Sequence, residues 1–188
     1  MKIHSSNNSQ TLEIPVLAIS GSLRAASSNT ALLKAAAALA PEGLSIDLYE
    51  GLEKLPAFNP DLEQDKIPTV LGLRSQLNQA RGVLFSTPEY AHGIPGSLKN
   101  LLDWVVGSGE LVDKPIALLN AAPRSVYAQA SLTETLTVMS ARLVSDAAVT
   151  IPLLGKQVSS KEIISNLDMA HSIRQAMLAF QKAVEAFR

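Results

Sequence analysis

Short hydrogen-bonding side chains, Ser20, Ser22, Ser27, Ser28, Asn29 and Thr30, gather around Arg24 in the stretch SGSLRAASSNT. The chemistry they offer is anion binding. Hydroxyls and an amide stand beside a guanidinium with several N–H groups, and a helix start adds unpaired backbone N–H groups and about half a positive charge. A phosphate monoester suits such a nest. The stretch lacks the lysine of G-x-x-x-x-G-K-[ST] and the spacing G-x-G-x-x-G, which argues against a triphosphate loop and a pyrophosphate fingerprint. The alternative is that the serines and Asn29 make only a turn and a helix cap, the better reading for two or three of them. So many such residues beside an arginine favour the anion.

A second candidate stretch is STPEYAHGIPGSLKN, Ser86 to Asn100. Pro88 and Pro95 stiffen it, while Gly93 and Gly96 let backbone lie close to something flat. The amides of Glu89 and Tyr90 are placed to donate to ring carbonyls, and the Tyr90 ring to pack on an aromatic ligand. The plainer reading is that Pro95, Gly96 and Ser97 start a helix, with Lys99 and Asp103 an exposed i, i+4 pair of small worth. Trp104 falls one position off the apolar stripe and reads as buried at a helix or subunit contact. His92 reads as a lid or interface residue; His4 and His171 suggest no metal, and no catalytic acid or base stands out.

These stretches need a scaffold, and the chain supplies one by repeating a short apolar run, a loop and a helical period. Strands are predicted at Ile14–Ser20, Leu44–Tyr49, Gly82–Ser86, Pro115–Ala121 and near Val144–Val149. The uncharged run IPVLAIS suits a strand covered on both faces. Between the strands, apolar residues recur at spacings of three and four. The first helix carries Leu32, Leu33, Ala36, Leu39 and Ala40, capped by Ser28 or Asn29 and stopped by Pro41. The second starts near Pro68 with Val70, Leu73, Leu77 and Ala80; the third follows Pro95 with Leu98, Leu101, Leu102 and Val105. The fourth aligns Leu132, Leu136, Met139 and Leu143, and the closing helix aligns Ile163, Leu167, Ala170, Met177, Phe180, Val184 and Phe187. Alternating strands and helices predict an α/β three-layer sandwich: a five-stranded parallel sheet in the flavodoxin-like order 2-1-3-4-5 with helices on both faces. Ligands then belong at the carboxyl ends of strands one, three and four.

The whole chain of 188 residues fits one domain over 14–188, after a loose polar leader over 1–13. With 47% hydrophobic and 18% charged residues it is a folded soluble protein, not a disordered one. Sixteen Lys plus Arg against 17 Asp plus Glu give a net charge of −1, which lacks the cationic surplus of a nucleic-acid binder. Without cysteine there is no disulfide, thiolate nucleophile or iron–sulfur cluster, so redox chemistry must be borrowed from a cofactor. No G-x-S-x-G elbow marks a serine hydrolase. No apolar run reaches the roughly 18 to 20 residues that span a bilayer, and the leader has no signal-peptide core, so the chain reads as cytoplasmic.

The segments GSLRAASSN and TPEYAHGIPGSLKNLLDW, with LPAFNPDLE between them, resemble the signature segments of the NADPH-dependent FMN reductase family, the flavodoxin-like quinone, azo-dye and chromate reductases. The likeness runs from about Ile14 to Lys156. It implies that Ser20, Ser22, Arg24, Ser28 and Asn29 hold the phosphate of FMN and that Pro88, Glu89 and Tyr90 line its ring. It implies hydride transfer from NADPH or NADH through FMN to a small acceptor, in a homodimer or homotetramer with the flavin near a subunit boundary. After the fourth strand the family commonly has a glycine-rich turn, whereas this chain has NAAPRSVYAQASL without glycine. There Ala121, Ala122 and Pro123 are small enough for close approach, and Arg124 either contacts the pyrimidine edge or the extra phosphate of NADPH, or is a solvated residue at a helix start. The alternatives are a flavodoxin-like electron carrier or an FMN-binding regulatory protein. A carrier is usually far more acidic than −1 and lacks an arginine like Arg24.

Overall fold

The computed structural model describes residues 13–153 and 158–187. The leader expected over 1–13 lies, apart from Glu13, outside them. Apolar runs form β1 (Ile14–Ser20), β2 (Leu44–Leu48), β3 (Gly82–Ser86) and β4 (Pro115–Asn120), all paired in parallel in the order β2-β1-β3-β4. In this register Ser20 stands opposite Ser86, so the carboxyl ends of β1 and β3 are level and their loops lie side by side.

Period-two alternation sends Val16, Ala18, Leu84 and Leu119 to one face of the sheet and Leu17, Ile19, Val83 and Phe85 to the other, each set into its own core. The first core packs under α1 (Ser28–Ala38), α5 (Ser160–Ser165) and α6 (Leu167–Glu185). The second packs under α2 (Pro68–Gln79), α3 (Gly96–Val105) and α4 (Val126–Val138). The three layers and the strand order are those predicted.

The fifth strand is not the continuous Val144–Val149. Two fragments flank β4's outer side: β5 (Arg142–Leu143) pairs with Pro115 and Ile116, and β6 (Val149–Thr150) with Leu119 and Asn120. Between them Ser145–Ala147 makes a 3-10 turn, because Ala147 is drawn fully into the core that α6 shares. Leu143 therefore belongs to β5 and does not extend α4, which ends at Val138. The closing helix is also broken. Asn166, extended at φ −83° and ψ 114°, ends α5 and caps α6 by accepting the Met169 N–H, and the restart leaves Leu167 83% exposed, off the apolar face. On α1 the cap is Ser27, whose hydroxyl accepts the Thr30 N–H at 3.3 Å, not Ser28 or Asn29.

The irregular segment between β2 and α2 is held by α3. Asn100 accepts the Phe58 N–H at 2.7 Å and donates to the Pro56 carbonyl at 2.9 Å, and the Trp104 indole N–H donates to the same carbonyl at 2.8 Å. Trp104 is thus buried within the chain, edge-on to Phe58. At the opposite end of the sheet, the buried Lys114 closes the carboxyl end of α2 by donating to the carbonyls of Leu77 and Ala80, and burial lowers its pKa.

Candidate functional site

The loop after β1 is pressed against the end of β3. The Gly21 N–H donates to the Ser86 carbonyl at 2.8 Å, and a Cβ at Gly21 would stand 2.3 Å from Thr87 Oγ1, so only glycine permits this approach. The loop then curls on its own hydroxyls. Ser20 and Thr30 share a bond of 2.8 Å, the Ser22 N–H donates to Ser20 Oγ, and the Arg24 N–H donates to Ser22 Oγ, both at 3.3 Å. These bonds are the turn-making reading of the serines.

Ser28 opens α1, and the N–H groups of Ser28 and Asn29 have no protein acceptor among the described residues, as the first turn of a helix dictates. Arg24 is exposed and has no carboxylate partner among them. Asn29 departs from the expectation that its side chain faces the loop: it is buried, and its carbonyl oxygen accepts the Ser86 hydroxyl at 3.0 Å, tying α1 to β3. Beside the loop lies a cavity of ≈ 230 Å³ lined by Ser20, Ser22, Arg24, Lys34, Tyr49 and Glu53 among others. Burial pushes the Tyr49 phenol up to about 12.

Pro88 and Glu89 are half-buried at the tip of β3, and Tyr90 is 52% exposed. Tyr90 and Gly93 exchange two backbone hydrogen bonds of 3.0 Å across Ala91 and His92, at φ 49° and 59°. This is a two-residue hairpin turn of the left-handed kind. It consumes the Tyr90 N–H, so of the two amides expected to face a ring carbonyl only that of Glu89 has no protein acceptor among the described residues.

The glycine-free third loop turns on Asn120. Its side-chain oxygen accepts the Ala122 N–H at 3.0 Å, and the Ser125 N–H closes back on the Ala122 carbonyl at 3.0 Å. Ala121 is buried in the core, its carbonyl accepting the Leu153 N–H at 3.1 Å, while Arg124 stays exposed without an ion-pair partner among the described residues. Two contacts join this loop's helix to the Tyr90 turn. Glu89 Oε2 accepts the N–H groups of Tyr127 and Ala128 at 2.8 and 2.9 Å, and His92 stacks on Tyr127 with ring centroids 4.1 Å apart.

The Glu89 side chain is the functional candidate that sequence reasoning missed, because a cap arriving from a distant loop leaves no local motif. Asn120 did leave one, an Asn two residues before the amide it accepts.

The family model described as NADPH-dependent FMN reductase matches residues 14–154. An NAD(P)H-dependent FMN reductase of Pseudomonas aeruginosa is 41% identical over 113 residues, 58% of this chain and 60% of that protein. A quinone reductase of Escherichia coli is 34% identical over 107 residues, 56% and 55% of the two chains. The chain thus spans little more than half the length of these relatives. Among solved structures, the flavoenzyme NAD(P)H:(acceptor) oxidoreductase of Paracoccus denitrificans superposes with a TM-score of 0.75 at 26% identity, over 93% of this chain and 98% of that one.

Proposed function

Because this chain belongs to the NADPH-dependent FMN reductase family, we propose that it is an FMN-dependent NAD(P)H oxidoreductase. It passes hydride from NADPH or NADH to a small acceptor such as a quinone, free flavin, azo compound or oxyanion. The observation that carries this reading is the loop after β1. It sets an exposed guanidinium and two N–H groups without a protein acceptor among the described residues at the carboxyl end of a central strand, and the loop itself carries no carboxylate between Ser20 and Thr30. Those residues fit the phosphate of FMN.

When bound, FMN would supply the chemistry of hydride and electron transfer between nicotinamide and acceptor. Arg24, Ser22 and the amides of Ser28 and Asn29 grip the phosphate, with Ser20 shaping the turn behind them. Asn29 acts from below by anchoring Ser86. Pro88, Glu89 and Tyr90 would carry the ring, with the Glu89 N–H, which has no protein acceptor among the described residues, available to donate to it. Ala121 backs the third loop from the core, and Arg124, exposed in that loop, would suit a nucleotide phosphate. None of these residues has to act as acid or base.

The reading extends to the whole molecule: a single flavodoxin-like domain over 14–188, active in the cytoplasm and assembled as a homodimer or homotetramer. Tyr90, Val126 and Tyr127, exposed where the Tyr90 turn meets the start of α4, support assembly there. No helix among the described residues is long and apolar enough to cross a membrane.

The test is direct. Protein stripped of flavin takes up FMN in preference to riboflavin; under anaerobic conditions NADPH or NADH then bleaches the yellow colour, and a small quinone restores it. Arg24→Ala lowers FMN affinity by about 1.5–3 kcal/mol, as for other hydrogen bonds to a charged group, and leaves riboflavin unchanged. Bound FMN that neither nucleotide bleaches would refute the reductase and leave a carrier. Equal affinity for the two flavins would move the phosphate elsewhere.

A further inference from the structure

The shelf that carries Pro88, Glu89 and Tyr90 and the helix that follows the third loop are separate in sequence, yet the structure locks them together at one residue. Tyr127 gives its backbone N–H to Glu89 and its ring to His92, and Ala128 gives its N–H to the same carboxylate oxygen. These are the second and third amides of α4, where a helix start has unsatisfied N–H groups and favours negative charge. The local cap does not serve them: Ser125 makes no side-chain hydrogen bond there. Glu89 is the long-range substitute, and its own backbone N–H has no protein acceptor among the described residues. One residue thus fastens the shelf through its side chain and keeps its main-chain donor available.

We infer that Glu89 is a positioning residue: by seating its carboxylate on the amides of Tyr127 and Ala128, it fixes the backbone on which the flavin ring rests and controls binding at the ring end alone. This rests on the proposed function. The phosphate loop and the Glu89 clamp then divide the ligand between them. The loop after β1 distinguishes FMN from riboflavin, while the clamp strengthens both flavins equally.

The division can be measured by titrating flavin-free protein with FMN and with riboflavin, comparing the unaltered chain with Glu89→Ala, Glu89→Gln and Arg24→Ala. Glu89→Ala is expected to weaken both flavins by the same factor, about tenfold or more, leaving their ratio unchanged. The fine structure of the visible flavin band should blur as the ring loses its fixed surroundings. Glu89→Gln, which keeps an acceptor oxygen but not the charge, should recover part of that loss. Arg24→Ala should instead collapse the ratio. Hydrogen exchange at the Tyr127 and Ala128 amides, followed without flavin, reports the cap itself and should quicken in Glu89→Ala.

If those amides exchange faster while both flavins bind as before, the carboxylate only stabilises a helix and the inference falls. It falls equally if Glu89→Ala lowers the FMN-to-riboflavin ratio, since the residue would then act on the phosphate end. Failure of the unaltered chain to bind either flavin overturns the proposed function and, with it, this assignment. A Glu89→Ala protein that does not fold is recognised by its lost thermal transition, and Glu89→Gln, the milder change, then decides between these outcomes on the same readouts.

Discussion

A methyl group at position 21 would have to displace Thr87, whose Cβ as well as its hydroxyl lies within 3 Å of the added atom. Gly21→Ala is therefore expected to cost about 1–3 kcal/mol in urea unfolding, the range for overpacking a filled site. Because the strain falls where the first two loops meet, flavin retention should drop with it. Single residues of the site were unevenly legible. The cluster around Arg24 stood out by residue type, but residue type did not reveal how Ser20, Ser22, Ser27 and Thr30 bond within the loop to shape it. Nor did it reveal the inward role of Asn29, because the same carboxamide serves a ligand or a neighbouring strand, and only the level ends of β1 and β3 decide for Ser86. The Tyr90 amide was misjudged for a related reason. Nothing in the letters AH between Tyr90 and Gly93 favours two consecutive left-handed residues, and that turn takes the N–H.

At the scale of elements, α3 fastens the segment between β2 and α2 as well as packing on the sheet. Asn100→Ala removes an acceptor from Phe58 and a donor from Pro56 at once, leaving the part-buried Phe58 N–H unpaired and the Pro56 carbonyl with Trp104 alone. About 1–3 kcal/mol of stability should be lost, and limited proteolysis should cut first between residues 50 and 63. An unchanged cleavage pattern would show that Trp104 holds the segment unaided. Strands β1, β3 and β4 and helix α3 were readable because burial on both faces, or one clean apolar stripe, leaves little else for those residues to do. The region after α4 was not. Its apolar residues fit a strand or a helix about equally well, and the choice was made by Ala147 entering the core and by Asn166 breaking the last helix. The proximity of Glu89 to α4 was hidden for the same reason, being a product of strand order and loop path.

For the whole molecule, the two cores share one sheet, with β1, β3 and β4 each contributing side chains to both. Neither can be exposed without baring the other side of the same strands. Thermal unfolding followed by circular dichroism and by the fluorescence of Trp104 should therefore give coincident, single transitions; separated midpoints would divide the proposed domain. The broken strand beyond β4 has a separate bearing on how the protein behaves when concentrated. An intact outer strand would present a straight row of free amides and carbonyls on which another chain could extend the sheet. Here two dipeptide fragments, set out of line by the turn at Ser145–Ala147, interrupt that template. This border of the sheet is thereby blunted against fibrous aggregation.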